Sequence, residues 1–252
     1  MKTKLSRFAV PYEVWMALFV VAPIVIMVIY AFRSADGGVT FENFVKMGDY
    51  AEVFLRSFKL ALIATAICLL IGYPAALFMA NLSDRMQTLV TLLLTLPMWI
   101  NMLLKTYAWR GILLNFDFSS ELKVFIGMVY DFLPFMIIQI HTAIAKLDPN
   151  LLVAAHDLGA NKVKSFLKVT LPLSVPGIIS GITLVFLPAV SSFVIPKMLG
   201  GGDYVLIGNL IEMYFLQTGD WNIGSAISLI MAIVIITAMW ATKKLDRSAQ
   251  ED

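Results

Sequence analysis

Only 14% of the 252 residues are charged, one is cysteine and two are histidine. A lone Cys68 in an apolar run makes no intrachain disulfide and no thiolate metal site. His141 and His156 stand too far apart in the sequence for a metal centre, so no metal ligand set is expected. A net charge of +2 gives no reason for a nucleic-acid partner. The pattern Gly-x-x-x-x-Gly-Lys-Ser/Thr does not occur, so the chain cannot hydrolyse ATP alone. Gly200-Gly201-Gly202-Asp203 reads as a flexible turn and not as a phosphate loop. An enzyme embedded in a membrane needs acids, bases or metal ligands clustered at depth, and Lys105, Asp131 and His141 are scattered. No catalytic residue is therefore expected, and no internal repeat or separate soluble domain is visible.

What fills the chain is apolar: 60% of residues are hydrophobic and the mean hydropathy is +0.84, far outside the range of soluble domains. A membrane helix needs about 20 mostly apolar residues. Six spans are expected, at about 14–32, 54–80, 86–113, 124–145, 173–199 and 223–241, forming an all-α membrane bundle over a single domain, 1–252. The first apolar run follows basic residues but is long for a signal sequence and lacks a small-residue cleavage site, so it is read as retained. Basic residues near span ends stay in the cytoplasm. The larger share of Lys and Arg then places both termini, and the hydrophilic segment 146–172, on the inner side.

Several residues stand out within this frame. In the first outer loop, Phe41, Phe44, Tyr50 and Phe54 among mixed charges suggest a short helix at the membrane surface. Gly72-Tyr73-Pro74 either kinks the second span or is simply tolerated in a bundle. The third span carries Leu96-Pro97-Met98-Trp99-Ile100-Asn101, then Lys105, Tyr107, Trp109 and Arg110. Polar groups at membrane depth are costly, so Asn101 and Lys105 should face protein or water, although Lys105 can also snorkel outward. Asp131 reads as opening the fourth span, there to cap the helix or to line a cation route. Gln139 and His141 suit hydrogen bonding within the bundle. In the fifth span, Pro188, Ser191, Ser192 and Pro196 should break the helix and free backbone carbonyls, which marks the gate. The stretch from Leu206 to Trp221, with Glu212 and Tyr214, is expected as an outer re-entrant or interfacial helix.

The inner segment 146–172 is the most specific signal. Asp148-Pro149 is a strong helix start, Gly159 suits a left-handed stop, and Asn161 can cap a second helix carrying Val163, Phe166 and Leu167. Ala154, Ala155, Gly159, Val169, Leu171 and Pro172 fall on the pattern of the "EAA" loop, and the segment resembles that coupling loop of ATP-binding-cassette importer permeases. Val153 stands where the family has its leading Glu. The resemblance implies a type I importer permease of MetI-like architecture. Its ATPase-coupling residues would be Ala154, Ala155, Gly159, Phe166, Leu171 and Pro172.

Over most of its length the chain also resembles the polyamine (spermidine/putrescine) importer permeases, and more the B-type subunit. The residues that carry this are Leu96 to Asn101, Val129 to Met136, Leu187-Pro188-Ala189, Leu199-Gly200-Gly201 and Gly219-Asp220-Trp221. Leu114 to Lys123 is shorter than that family leads one to expect. Sulfate, iron and thiamine permeases share related runs and remain the alternative. The resemblance implies a bacterial cytoplasmic-membrane protein working with a C-type permease, two ATP-binding subunits, an extracytoplasmic substrate-binding protein and membrane lipid. It would hold no cofactor itself, ATP being bound by the partner ATPase. A polycation needs carboxylates and aromatic faces, which makes Trp99, Asp131, Glu212 and Tyr107 the candidates for the substrate pathway.

Overall fold

The computed structural model describes residues 11–34 and 36–251, with side chains described through Lys244. Lys2, Lys4 and Arg7, on which part of the orientation rests, lie outside the described residues. Among the described residues there is no β-strand, only an isolated bridge between Arg33 and Val39. The helices are α1 (Pro11–Ala31), α2 (Glu42–Lys46), α3 (Ala51–Ala80), α4 (Asp84–Trp99), α5 (Met102–Leu113), α6 (Ser120–Ala145) and α7 (Pro149–Asp157). They continue with α8 (Lys162–Ser191), α9 (Val194–Leu199), α10 (Ile207–Glu212) and α11 (Trp221–Glu251). Among the described residues five helices are long and apolar enough to cross a membrane, or six if α4 and α5 count as one bent span.

By internal packing these residues form two units, residues 1–52 with 210–236, and residues 53–209 with 237–252. In the first unit, α1 is closed by Asn43, whose buried amide donates to the carbonyls of Ala31 at 3.0 Å and Arg33 at 2.9 Å. The rings of Phe32, Phe41 and Phe44 cluster beneath, with centroids 4.9–6.4 Å apart. A short helix, α2, does form in the loop after α1, although Lys46–Glu42, its ion pair, is too exposed to contribute much. After α10 the chain makes a π turn, Met213–Thr218, and Gly219 takes φ 69°, so that Asp220 can accept from the N–H groups of Asn222 and Ile223 and start α11. Tyr50 and Tyr214 share a hydroxyl–hydroxyl hydrogen bond in this unit.

The second unit is built on α6 and α8, which make the most extensive helix contact. Gly177 and Gly181, four residues apart, form a groove on α8. A β-carbon at Gly177 would lie 2.4 Å from Ala143 Cβ and 2.9 Å from the Gln139 carbonyl oxygen, and one at Gly181 would lie 2.6 Å from Met136 Sδ. Small residues at this spacing let membrane helices approach to backbone contact, where dispersion between them is strongest. On the other side of Met136 sits Gly72 of α3, whose missing side chain leaves room for it. Pro74 is carried inside an unbroken helix, which favours the reading that it is tolerated.

Three sequence expectations need correction. The third span is not one rod: α4 and α5 meet at 91°. Pro97 lacks the N–H that would tie its turn to α4, Ile100 and Asn101 are extended, and the Asn101 side chain accepts from Leu103 N at 2.8 Å to start a new helix. The fourth span begins at Ser120, capped by Ser119 through the Leu122 N–H, so Asp131 lies in mid-helix and caps nothing. The fifth span starts earlier than 173 and ends at Ser191, before the break, so the second helix of the 146–172 segment is not separate from it.

Candidate functional site

Two places in the second unit concentrate the predicted functional residues: the segment joining α6 to α8, and the contact of α5 and α9 with α6.

The joining segment forms as its caps dictate. Asp148 Oδ1 accepts from Asn150 N at 2.9 Å with Pro149 at the first helical position, and α7 runs to Asp157. Gly159 then takes φ 77°, a conformation that costs a residue with a side chain about 1–2 kcal/mol. This allows Gly159 N to donate to His156 O at 2.8 Å and Ala160 N to Ala155 O at 3.0 Å. His156 locks the turn, its Nδ1 donating to the Ala160 carbonyl at 2.9 Å. Asn161 Oδ1 accepts from Lys164 N at 2.9 Å and opens α8.

From there α8 does not stop. A π turn at Phe166–Thr170 carries it into the membrane-length part, just where Pro172 has no N–H to offer the Lys168 carbonyl. Phe166 is half-buried and meets Tyr73 of α3 edge-on, with centroids 5.7 Å apart. The Tyr73 hydroxyl also hydrogen-bonds Ser174 at 2.8 Å. Of the predicted coupling residues, Ala155 and Phe166 are half-buried, while Ala154 and Gly159 are exposed. Leu171 and Pro172 belong to the rod that leaves the segment. The outer surface is apolar: Leu158 is 89% exposed, Val163 64% and Val153 56%. Val153, in place of a glutamate, thus extends an apolar face.

α5 lies on α6 along one stripe. Lys105 Nζ is 2.8 Å from Asp131 Oδ1, with both side chains nearly buried. One turn on, Trp109 meets Tyr130 with ring centroids 5.0 Å apart, and Leu113, buried, completes the row. Tyr107 is set about 200° around α5 from Lys105 and is exposed. Trp99 lines a different feature, an open groove of about 530 Å³. Its wall is a stripe of α4, Asp84, Thr88, Thr91 and Thr95, at helical spacing, with His141 opposite. His141 Nε2 and Gln87 Oε1 are 3.2 Å apart, the bundle hydrogen bond expected of that histidine. Neither Asp131 nor Tyr107 lines this groove, and Glu212 belongs to the first unit, where it is half-buried in α10. The structure thus pairs Asp131 with Lys105, separately from Trp99 and Tyr107. The threonine stripe escaped the sequence reading although its spacing was visible.

The break at Pro188, Ser191 and Ser192 exists. α8 ends at Ser191, Ser192 is extended, and α9 restarts at Val194. Its carbonyls face protein: Asn209 Nδ2 donates to Phe193 O at 2.7 Å, and Gly208 leaves no room for a β-carbon beside the carbonyls of Ser191 and Ser192, 2.6 Å away. α9 packs on both α5 and α6, with Ile195 and Leu199 filling the space that Gly127 leaves. The helix that follows the break and the ion pair thus share α5 and α6 as neighbours.

A family described as the binding-protein-dependent transport system inner membrane component matches residues 68–251. The chain belongs to this family. It is a membrane transport component and not an enzyme. The permease is 38% identical to the spermidine/putrescine transport system permease protein PotB of Haemophilus influenzae, over 94% of this chain and 93% of that one. It is 36% identical to PotB of Escherichia coli K12, over 92% and 94%. In fold it is similar to a bacterial ABC transporter that imports the acidic polysaccharide alginate, with a TM-score of 0.71 at 18% identity, covering 97% of this chain and 95% of that one. The MetNI methionine ABC transporter gives a TM-score of 0.61 at 14% identity, over 81% and 97%. These likenesses establish a MetI-like importer permease fold.

Proposed function

We propose that this permease is the B-type membrane subunit of an ATP-driven importer of polyamines, spermidine or putrescine, working by alternating access as a single permease domain. The observation that carries it is the similarity to PotB along nearly the whole of both chains. Its working partners are a C-type permease, two ATP-binding subunits and an extracytoplasmic binding protein. It sits in the bacterial cytoplasmic membrane with both termini and the α7 segment in the cytoplasm. ATP belongs to the partner ATPase, and this chain holds no cofactor.

The geometry supports a lever. The apolar, exposed surface of Val153, Leu158 and Val163 is the part that a motor subunit would grip. α7 is fixed to α8 by the Gly159 turn, α8 is one rod from Lys162 to Ser191, and the Gly177–Gly181 groove clamps that rod to α6. A push on α7 therefore moves α6 and α8 together, and acts on the break at Ser192 and on α9 packed against Lys105 and Asp131's helices. Moving packed rigid elements about a break is how solute access is switched. Binding of the cation along the way rests on Asp131, Glu212, Trp99 and Tyr107.

The test is uptake by proteoliposomes holding this chain with its partner permease, ATPase and binding protein. ATP-dependent accumulation of radiolabelled spermidine is expected. Accumulation of sulfate, iron or thiamine instead would assign the alternative substrate class.

A further inference from the structure

A lysine side chain is a primary ammonium on a four-carbon stem, which is chemically one end of a polyamine. That group lies 2.8 Å from Asp131, with side-chain exposures of 11% for Lys105 and 6% for Asp131. An ion pair is a poor way merely to hold two helices at this depth, since removing both charges from water costs about as much as their attraction returns, and apolar replacements often do better. The contact of α5 with α6 already has an aromatic and an apolar anchor in Trp109–Tyr130 and Leu113. Ionisable side chains inside a span are rare unless a solute, ion or proton uses them. A permanent pair would also favour arginine, whose planar fork holds a carboxylate through two bonds, whereas lysine makes a compact, exchangeable contact from a flexible stem.

Resting on the polyamine reading, we propose that Lys105 is a tethered stand-in for the solute. Its ammonium occupies the Asp131 carboxylate in the absence of polyamine and yields it to an alkylammonium group of the passing polycation. The exchange swaps one primary ammonium for another, so the carboxylate is never left bare and never becomes a deep trap. A transport route needs that balance, because a site must be good enough to enter and weak enough to leave. Lys105 is thus a specificity-determining residue, and it acts by competing for Asp131. The released ammonium swings toward water on its own stem. Just after the helix break, α9 packs on both α5 and α6, the two helices that carry the pair.

Two measurements test this. In the first, the purified chain is unfolded thermally with n-butylammonium chloride or an equal concentration of sodium chloride. Lys105→Met is expected to gain several degrees from butylammonium and none from sodium, while wild type and the double variant Lys105→Met/Asp131→Asn gain from neither. Equal responses from Lys105→Met and the double variant overturn the proposal. In the second, spermidine uptake by the reconstituted importer is followed. Butylammonium should inhibit Lys105→Met at a concentration at least about tenfold lower than it inhibits wild type. The double variant, which carries no unpaired charge, should transport spermidine with KM raised about tenfold or more. A double variant with wild-type KM shows a purely structural pair, and decides the matter even if Lys105→Met does not assemble. A wild-type importer that ignores spermidine defeats the polyamine reading, whereas the butylammonium response of Lys105→Met still reports on the exchange.

Discussion

Gly177→Ala tests the clamp on which the lever depends. The added β-carbon would sit 2.4 Å from Ala143 Cβ and 2.9 Å from the Gln139 carbonyl, against an ordinary carbon–carbon contact of about 3.5–4.0 Å. Neither neighbour can swing away, because one is a β-carbon fixed to α6 and the other is backbone. The helices must part by about 1 Å, and a gap of that size forfeits a quarter to a half of each contact's attraction. Overpacking of this kind costs about 1–3 kcal/mol. At about 2–4 °C per kcal/mol for a chain of this size, the unfolding midpoint of the purified protein should fall by several degrees. Removing the nearest obstructing atom should recover part of that, so Gly177→Ala/Ala143→Gly is expected to be more stable than the sum of its single changes by about 0.5–1 kcal/mol. Recovery stays incomplete because the Gln139 carbonyl remains in the way. Gly111→Ala, with nothing within 4 Å of its β-carbon, supplies the control and should lose no stability. A Gly177→Ala chain that unfolds at the wild-type midpoint, or a double variant with no coupling, would refute the argument that α6 and α8 touch through a missing side chain.

Gly159→Val should leave membrane insertion unchanged, because nothing lies within 4 Å, yet the forced left-handed residue costs about 1–2 kcal/mol and should disturb the turn; co-purification with the ATPase at the wild-type level would count against the coupling role. Leu158→Asp replaces an 89% exposed residue and should keep the fold while lowering ATPase association, measured by the same co-purification. Asn43→Ala strands the carbonyls of Ala31 and Arg33 and should cost about 1–3 kcal/mol in thermal unfolding. Burial, aided by the Glu121 carboxylate and opposed by Arg56, pushes the Tyr204 phenol up to about 12 from its usual value near 10. Because the folded value is raised, its contribution to stability is complete below about pH 10 and lost as pH rises toward 12. Tyr204→Phe should flatten that alkaline decline, and a decline of unchanged slope would exclude the phenol as its source.

How much of this was legible depended on distance along the chain. The caps at Asp148 and Asn161 and the turn at Gly159 were readable because each involves residues within a few positions of one another. The bend between α4 and α5 was nearly so: Pro97 and Asn101 together are a stop and a start, but hydropathy averaged over 86–113 runs straight across them. The same averaging hid the cap at Ser119, and with it the mid-helix place of Asp131. The continuity of α8 could not be read, since Pro172 argues for a boundary and only a π turn, with its wider bonding step, carries the helix past it. Gly177 and Gly181 were visible as a spacing, but their meaning lies in Ala143 and Met136, on another helix.

The Lys105–Asp131 pair was the least legible, and the reason bears on function. Sequence placed two ionisable groups in the membrane and allowed each its own escape, snorkelling for the lysine and capping for the acid. The structure removes the acid's escape, because Asp131 is eleven residues into α6, while Lys105, in the first turn of α5, is turned onto Asp131 with 11% of its side chain exposed. Buried there, the carboxylate has the Lys105 ammonium as its counter-charge. Under the proposed mechanism, a lever that moves α6 relative to α5 separates these two charges, or acts when a solute cation is there to take one of them. Under the proposed exchange, the second course couples the movement to cargo without a dedicated sensor.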